Sequence, residues 1–138
     1  SGMMSMAYIF DVPAAFANVA QIRPFPLGQK DLYIPKKIWN IQENRLLTFY
    51  EMIKLGNPWR RATDPSEVGF RAVENSPEEI MALTIEMNSR LDGSWIETEE
   101  DIELQNRFKA LIPSDDAFKD SPSRIGAAYL RENQNLLK

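Results

Sequence analysis

The chain of 138 residues contains no cysteine and no histidine. Without cysteine it can form neither a disulfide nor a thiolate nucleophile. Without histidine it lacks the side chain that most often acts as a general base near neutral pH and as a zinc ligand. These absences argue against most one-domain hydrolases and zinc enzymes, and we expect neither a metal site nor a cofactor.

Long apolar runs are also lacking. No window reaches the roughly 18 uncharged apolar residues of a membrane-spanning helix, and the start of the chain lacks the basic segment of a secretory signal. The hydrophobic content of 43% is too high for a disordered chain, and the length suits one core of ordinary size. We therefore predict one cytoplasmic domain over residues 1–138, without a membrane span.

Charge is divided unevenly along the chain. Residues 1–62 hold 8 Lys or Arg and 4 Asp or Glu, whereas residues 63–138 hold 8 and 16, so the net charge of −4 conceals a basic half and an acidic half. An acidic chain is a poor candidate for non-specific nucleic-acid binding, and we predict no such partner. The basic half suits a phosphorylated small molecule, although chance and acid-rich helix starts explain the asymmetry equally well.

Three segments begin with Ser or Thr followed three residues later by an acidic residue, which is typical of a capped helix start. They begin at Thr48, Ser76 and Thr98. The Ser76 segment predicts a helix over about 77–91, and Gly56 predicts the end of the Thr48 helix. The inward residues predicted for the second and third helices are Ile80, Leu83, Met87, Leu91, Ile102, Phe108 and Leu111.

Two further helices are expected. A short apolar helix is predicted from about Met3 to Phe10, and Ser121-Pro122 predicts a helix that carries Ile125, Ala128 and Tyr129. The region of about 76–138 is therefore expected to be helical throughout.

Strand signals are few. The segment Ala14–Ala20 is short and almost wholly apolar, as in a strand that is buried on both faces of a parallel sheet. The segment Phe70–Glu74 precedes the Ser76 helix and predicts a strand-to-helix step. Between them, residues 21–46 contain three prolines and read as a long ordered loop, with a brief extended piece at Leu32–Ile34.

This inventory of two or three strands and five helices predicts a helix-rich α/β domain with few short parallel strands. So few strands cannot present two covered faces in a standard doubly wound sheet. Either the chain is part of a larger α/β architecture, or it completes its sheet by pairing with another copy.

Five residues are the leading candidates for contact with a phosphorylated ligand: Ser1, Gly2, Asn18, Lys36 and Lys37. Backbone N–H groups at a helix start near Gly2 would attract a phosphate. Asn18 closes a predicted parallel strand, where ligands of open α/β sheets collect. Each residue also has a plain structural explanation: a simple helix start, a strand-end cap, and a solvated lysine loop.

Other charged groups have weaker claims. Arg23 and Lys30 add cations to the proline-rich loop. Arg60 and Arg61 directly follow Trp59, where they would stack a base, bind phosphate or simply face water. The acidic residues Glu99, Glu100 and Asp101 are better explained as a helix start that the helix dipole favours.

Several segments resemble an uncharacterised glycosyltransferase family of GT-B-like fold from bacterial surface-polysaccharide gene clusters. The matching segments are Ser1-Gly2, Asp31–Lys37, Leu47–Phe49, Val73–Ile80 and Arg124–Leu130. The resemblance spans nearly the whole chain but only the last third or so of such an enzyme. It implies an incomplete Rossmann-like domain, the C-terminal portion of the donor-binding half.

The resemblance also implies a partner and a reaction. A nucleotide-sugar donor would lie against Ser1 and Gly2, with Asn18, Lys36 and Lys37 as further donor-binding residues. The acceptor-binding half is missing from the match, so this chain is expected to be inactive alone, and its catalytic residues are unknown. The alternative is a stand-alone interaction domain that forms a homo-oligomer through an exposed sheet edge.

Overall fold

The computed structural model describes residues 12–22, 30–56, 69–116 and 119–138. Within these ranges, six strands, four α-helices and one 3-10 helix form a mixed α/β fold. The strands are β1 Ala15–Val19, β2 Leu32–Pro35, β3 Lys37–Asn40, β4 Arg45–Leu46, β5 Phe70–Val73 and β6 Arg124–Ile125. The helices are α1 Phe49–Leu55, α2 Pro77–Asp92, α3 Glu99–Ala110 and α4 Ala127–Glu132, followed by the 3-10 helix Gln134–Leu136.

A three-stranded parallel sheet has the order β1-β2-β6. The predicted strand at 14–20 is confirmed as β1, and its parallel pairing is confirmed as well. Its burial differs from the prediction, since Ala15 is exposed and the rest of β1 is only half-buried. The reason is position: β2 is the central strand and is buried at all four residues, whereas β1 lies at the edge of the described sheet.

A second, antiparallel sheet has the order β4-β3-β5. The extended piece predicted at Leu32–Ile34 is confirmed as part of β2. The prediction of a loop is wrong for the residues that follow, which form β3 and β4. The chain stays extended from Leu32 to Asn40 and passes from one sheet to the other at Lys36. Pro35 obscured this, because proline reads as a strand breaker but is tolerated at the end of a strand.

The predicted strand at 70–74 is confirmed as β5, but it belongs to the antiparallel sheet. Three residues, Glu74 to Ser76, connect it to α2. The predicted strand-to-helix step exists, yet it does not continue the parallel sheet.

All three predicted capping boxes are confirmed. The N–H of Glu51 donates to Thr48 Oγ1 at 3.2 Å, and the N–H of Glu79 donates to Ser76 Oγ at 3.1 Å. The third box at Thr98 is closed in the same way by Asp101. Each box satisfies N–H groups that the first helical turn would otherwise leave without an acceptor.

The inward faces of two helices differ from the prediction. In α2, Leu83 and Met87 are buried, but Ile80 is 36% exposed and Leu91 is 61% exposed. Glu86, which the hydrophobic periodicity did not assign to the inward face, is buried as well and is only 2% exposed. In α3, the inward residues are Leu104 and Phe108, whereas Ile102 is 47% exposed and Leu111 is half-buried.

The last predicted helix exists and carries Ala128 and Tyr129, but its predicted start at Ser121-Pro122 is wrong. Residues Arg124–Ile125 form β6, and α4 begins only at Ala127. The N–H of Arg124 donates to Asp31 O at 3.1 Å, and the N–H of Gly126 donates to Tyr33 O at 3.0 Å. Pairing with β2, about 90 residues earlier in the chain, overrides the local helix signal.

The hydrophobic core joins both sheets to the helices. The ring of Phe49 in α1 stacks on Tyr129 in α4, with centroids 5.9 Å apart, and meets Phe108 in α3 edge to face at 6.2 Å. Ile34 and Ile38, one from each sheet, are almost fully buried in the same cluster. In the described part of the chain, no helix is both long enough and apolar enough to cross a bilayer.

Candidate functional site

The carboxyl ends of β1 and β2 bring three of the five candidate residues together. Val19 pairs with Pro35, and the N–H of Lys36 donates to Val19 O at 2.9 Å. Asn18 therefore directly precedes the β1 residue that pairs with the end of β2, and Lys36 and Lys37 directly follow that end of β2. This is the edge at which ligands of parallel α/β sheets bind.

Asn18 adopts a left-handed backbone conformation with φ of 55°. Its N–H donates to Asn75 Oδ1 at 2.6 Å, and its own Oδ1 accepts the N–H of Asn75 at 2.7 Å. Asn75 is buried and also donates from Nδ2 to Pro35 O at 2.9 Å. The side-chain oxygen of Asn18 is thus engaged within the fold, which is the geometry of a strand-end cap.

The two lysines differ in their surroundings. Lys37 Nζ lies 3.6 Å from Glu79 Oε2 and 5.6 Å from the ring centroid of Tyr129, and its side chain is only 18% exposed. Lys36 is half-buried at the crossing between the sheets, and among the described residues its ammonium has no ion pair. Lys37 is therefore held by the protein, whereas Lys36 is free to meet an anion.

Buried polar atoms surround Lys37. Neither Glu79 Oε2 nor the hydroxyl of Tyr129 makes a hydrogen bond with any described residue. Burial raises the pKa of the Tyr129 hydroxyl well above its usual value, and the Glu79 carboxylate raises it further. Because Tyr129 stays protonated at neutral pH, it does not serve as a base there.

The remaining candidates fall elsewhere. Ser1, Gly2, Arg23 and the trio from Trp59 to Arg61 lie outside the described residues, as does the helix predicted from Met3 to Phe10. Lys30 is described, but it precedes the start of β2 and so lies at the other edge of the parallel sheet. Within the described ranges, no group of three acidic side chains is arranged to hold a metal ion.

A cavity at the amino edge of the parallel sheet, where its three strands begin, was not predicted from the sequence. It has a volume of about 410 Å³ and is lined by Arg90, Trp95 and Arg124 together with Lys30. Arg90 and Trp95 are near in sequence, but Arg124 reaches the cavity only because β6 pairs with β2. Since that pairing is long-range, no local signal in the sequence indicated this cluster.

Comparison of the chain with models of protein families, with curated protein sequences and with solved structures finds no match.

Proposed function

We propose that this chain forms part of the donor-binding half of a GT-B-like glycosyltransferase. The reaction would transfer a sugar from a nucleotide-sugar donor during bacterial surface-polysaccharide synthesis, and the chain would be inactive alone. The observation that carries the proposal is the meeting of Asn18 and Lys36 at the carboxyl ends of adjacent parallel strands.

Lys36 has the main role in this proposal. A lysine at the carboxyl ends of the parallel strands would contact the donor diphosphate, and a charge-assisted hydrogen bond of this kind contributes roughly 1.5 to 3 kcal/mol. The same charge would stabilise the diphosphate as it departs. Lys37 would hold the edge in shape through Glu79 and Tyr129.

Asn18 would act mainly through its backbone. Its left-handed conformation turns the chain sharply at the end of β1, and the two hydrogen bonds with Asn75 hold that turn in place. A rigid turn at this edge gives a diphosphate a preformed surface, which reduces the entropy lost on binding.

Isothermal titration calorimetry with UDP-, GDP- and CMP-linked sugars tests the donor role, using the protein that contains this chain with any further domains. We expect one nucleotide sugar to bind and Lys36→Ala to weaken its binding by about tenfold or more. Lys54→Ala is the matched control, because Lys54 is an exposed lysine on α1. Absence of binding, or equal binding by both variants, would refute the donor role.

A homo-oligomeric interaction domain is the second candidate. In the described part of the sheet, β1 pairs only with β2, so its other edge is open to a further strand. Light scattering distinguishes the two functions: a dimer without nucleotide affinity favours the interaction domain, whereas a monomer that binds a nucleotide sugar favours the donor role.

A further inference from the structure

The cavity at the amino edge of the parallel sheet lies where three strands begin and one long helix ends. Pro13 precedes β1, Leu32 opens β2 and Arg124 opens β6, while Gly93 and Trp95 follow the end of α2. Its volume of about 410 Å³ falls within the roughly 300 to 1,000 Å³ of small-molecule sites. The cavity lies at the opposite end of the parallel strands from Asn18 and Lys36.

The charged side chains that line the described part of this cavity are all basic: Lys30, Arg90 and Arg124. Two nearby carboxylates belong to Asp31 and Asp92, but they accept the backbone N–H groups of Ala14 and Ser94 and do not line the cavity. The lining therefore favours an anion over a cation.

Two carboxylates that do not themselves line the cavity hold Arg90 and Arg124 in position. Glu97 Oε1 accepts a hydrogen bond from Arg124 Nη1 and lies 3.7 Å from Arg90 Nη2. Glu86 accepts from Arg90 Nε at 2.9 Å. Each guanidinium has five N–H donors, so these contacts orient both groups and leave donors for a ligand.

Lys30 adds a charge that no described residue neutralises. Its side chain is exposed, and among the described residues it has no ion pair. Because it lies two residues before β2, it stands at the mouth of the cavity beside the ordered arginines. A ligand anion would thus meet one unpaired cation and two arginines that carboxylates already orient.

The rest of the lining is apolar. The ring of Trp95 is covered on one side by Arg90, whose Cζ lies 5.1 Å from the ring centroid. Leu91, which is 61% exposed, contributes accessible aliphatic surface, and Leu32 and Met87 are almost fully buried. Trp95 Nε1 is buried and has no hydrogen-bond partner in the described part of the chain. Such a wall suits an aromatic or aliphatic body and not a bare inorganic ion.

We infer that this cavity binds a small organic anion, a carboxylate or phosphate attached to an aromatic or apolar body. Lys30 and Arg124 bind the anionic group, and Trp95 with Leu91 packs against the body. The site uses different residues from those proposed for the nucleotide-sugar donor, so either proposal stands or fails without the other.

The test is a ¹H–¹⁵N NMR titration with benzoate and phenyl phosphate, with benzyl alcohol as the neutral counterpart. We expect the indole N–H signal of Trp95 to shift and saturate with at least one anion. The signal of Trp39, which lies in β3, stays in place. Benzyl alcohol at the same concentration leaves both signals unchanged. The relative affinities of the two anions identify the preferred anionic group.

Two variants locate the binding. Lys30→Gln removes an exposed charge that the fold does not need, and we expect about fivefold weaker binding or more. Lys54→Gln, a remote exposed lysine on α1, leaves the affinity unchanged. The inference is overturned if Trp95 does not shift, if benzyl alcohol binds as well as the anions, or if the two lysine variants bind alike.

Discussion

Asn18 and Asn75, 57 residues apart, exchange a pair of hydrogen bonds in which each backbone N–H donates to the side-chain oxygen of the other, at 2.6 and 2.7 Å. A third bond runs from Asn75 Nδ2 to Pro35 O. Asn75 directly precedes Ser76, the N-cap of α2. The pair therefore ties the ends of β1 and β2 to the start of the longest described helix.

Replacing Asn75 by Ala tests the weight of this link. The variant leaves the N–H of Asn18 and the carbonyl of Pro35 without their partners, and an unsatisfied buried group costs roughly 1 to 3 kcal/mol. We expect a loss of about 2 to 4 kcal/mol in the free energy of unfolding, measured in urea. Asn88→Ala, at an exposed position of α2, is the control. Similar stabilities for the two variants would contradict the assignment.

Glu86 is the second polar group on which the fold depends. It is 2% exposed, and its carboxylate accepts the N–H of Ala127 at 2.8 Å and Arg90 Nε at 2.9 Å. Glu86→Ala leaves both donors without an acceptor, so we expect a loss of about 3 to 5 kcal/mol.

Two companion variants make that prediction specific. Glu86→Gln keeps a side-chain oxygen for the N–H of Ala127 and is expected to lose less stability than Glu86→Ala. Glu132→Ala removes an exposed carboxylate from α4 and is expected to change little. If urea unfolding gives the same midpoint for Glu86→Ala and Glu132→Ala, the buried carboxylate does not stabilise the fold.

Gly126 is expected to resist even the smallest side chain. Its φ of −55° is ordinary, so on backbone entropy alone Gly→Ala would add about 0.4 to 1 kcal/mol. A Cβ at this position would instead lie 2.9 Å from Ile34 Cγ2 and 3.3 Å from Leu83 Cδ1. We expect Gly126→Ala to destabilise by about 1 to 3 kcal/mol. A rise in the thermal midpoint would show that the core yields at this contact.

Glu51 predicts a pH dependence of stability. Its hydrogen bonds from Arg45, and then from the backbone of Thr48, lower the pKa of its carboxyl from 4.5 to about 2. A group with a depressed pKa in the folded state stabilises it fully above the unfolded value. That contribution is lost as the pH falls from about 4.5 through 2.

Glu51→Gln removes this charge and keeps an oxygen for the N–H of Thr48. Because the Glu51 side chain is 36% exposed, solvent screens the pair, and we expect the variant to be about 0.5 to 1 kcal/mol less stable at pH 7. The difference should shrink as the pH falls below about 4.5 and vanish only below pH 2. Unfolding curves between pH 2 and 7 measure it, with the exposed Glu103→Gln as control. A constant difference across that range would be inconsistent with the shifted pKa.

Features that depend on neighbouring residues were predictable. Each of the three capping boxes, at Thr48, Ser76 and Thr98, spans only four residues. Both partners of each hydrogen bond are therefore near neighbours in the sequence. The apolar segment at β1 was recognised for a similar reason, because its composition alone indicates a strand in a parallel sheet.

Features that depend on distant partners were not. Arg124–Ile125 follows the helix-start signal Ser121-Pro122. It forms a strand because its backbone pairs with that of β2. Glu86 occupies an inward position only because the N–H of Ala127 and the guanidinium of Arg90 meet it there. A helical periodicity based on hydrophobicity cannot anticipate a buried carboxylate.

The candidate sites show the same difference between features set by neighbouring residues and features set by distant ones. The sequence placed Asn18 at the end of a strand and Lys36 in a proline-rich loop, and the parallel pairing of β1 and β2 brings the two residues to one edge. It treated Lys36 and Lys37 as equivalent cations, whereas packing against Glu79 and Tyr129 separates their roles. The cavity of Lys30, Trp95 and Arg124 had no sequence signal at all.

By itself, the sequence determined what chemistry is available and where helices begin. The absence of histidine and cysteine removes imidazole and thiol chemistry whatever the fold, and a capping box acts within a single turn. Only the tertiary structure decided which sheet each strand joins, which charges are neutralised and which remain open to a ligand. Those outcomes depend on hydrogen bonds and ion pairs between residues far apart in the chain, whose energies arise only once the core has formed.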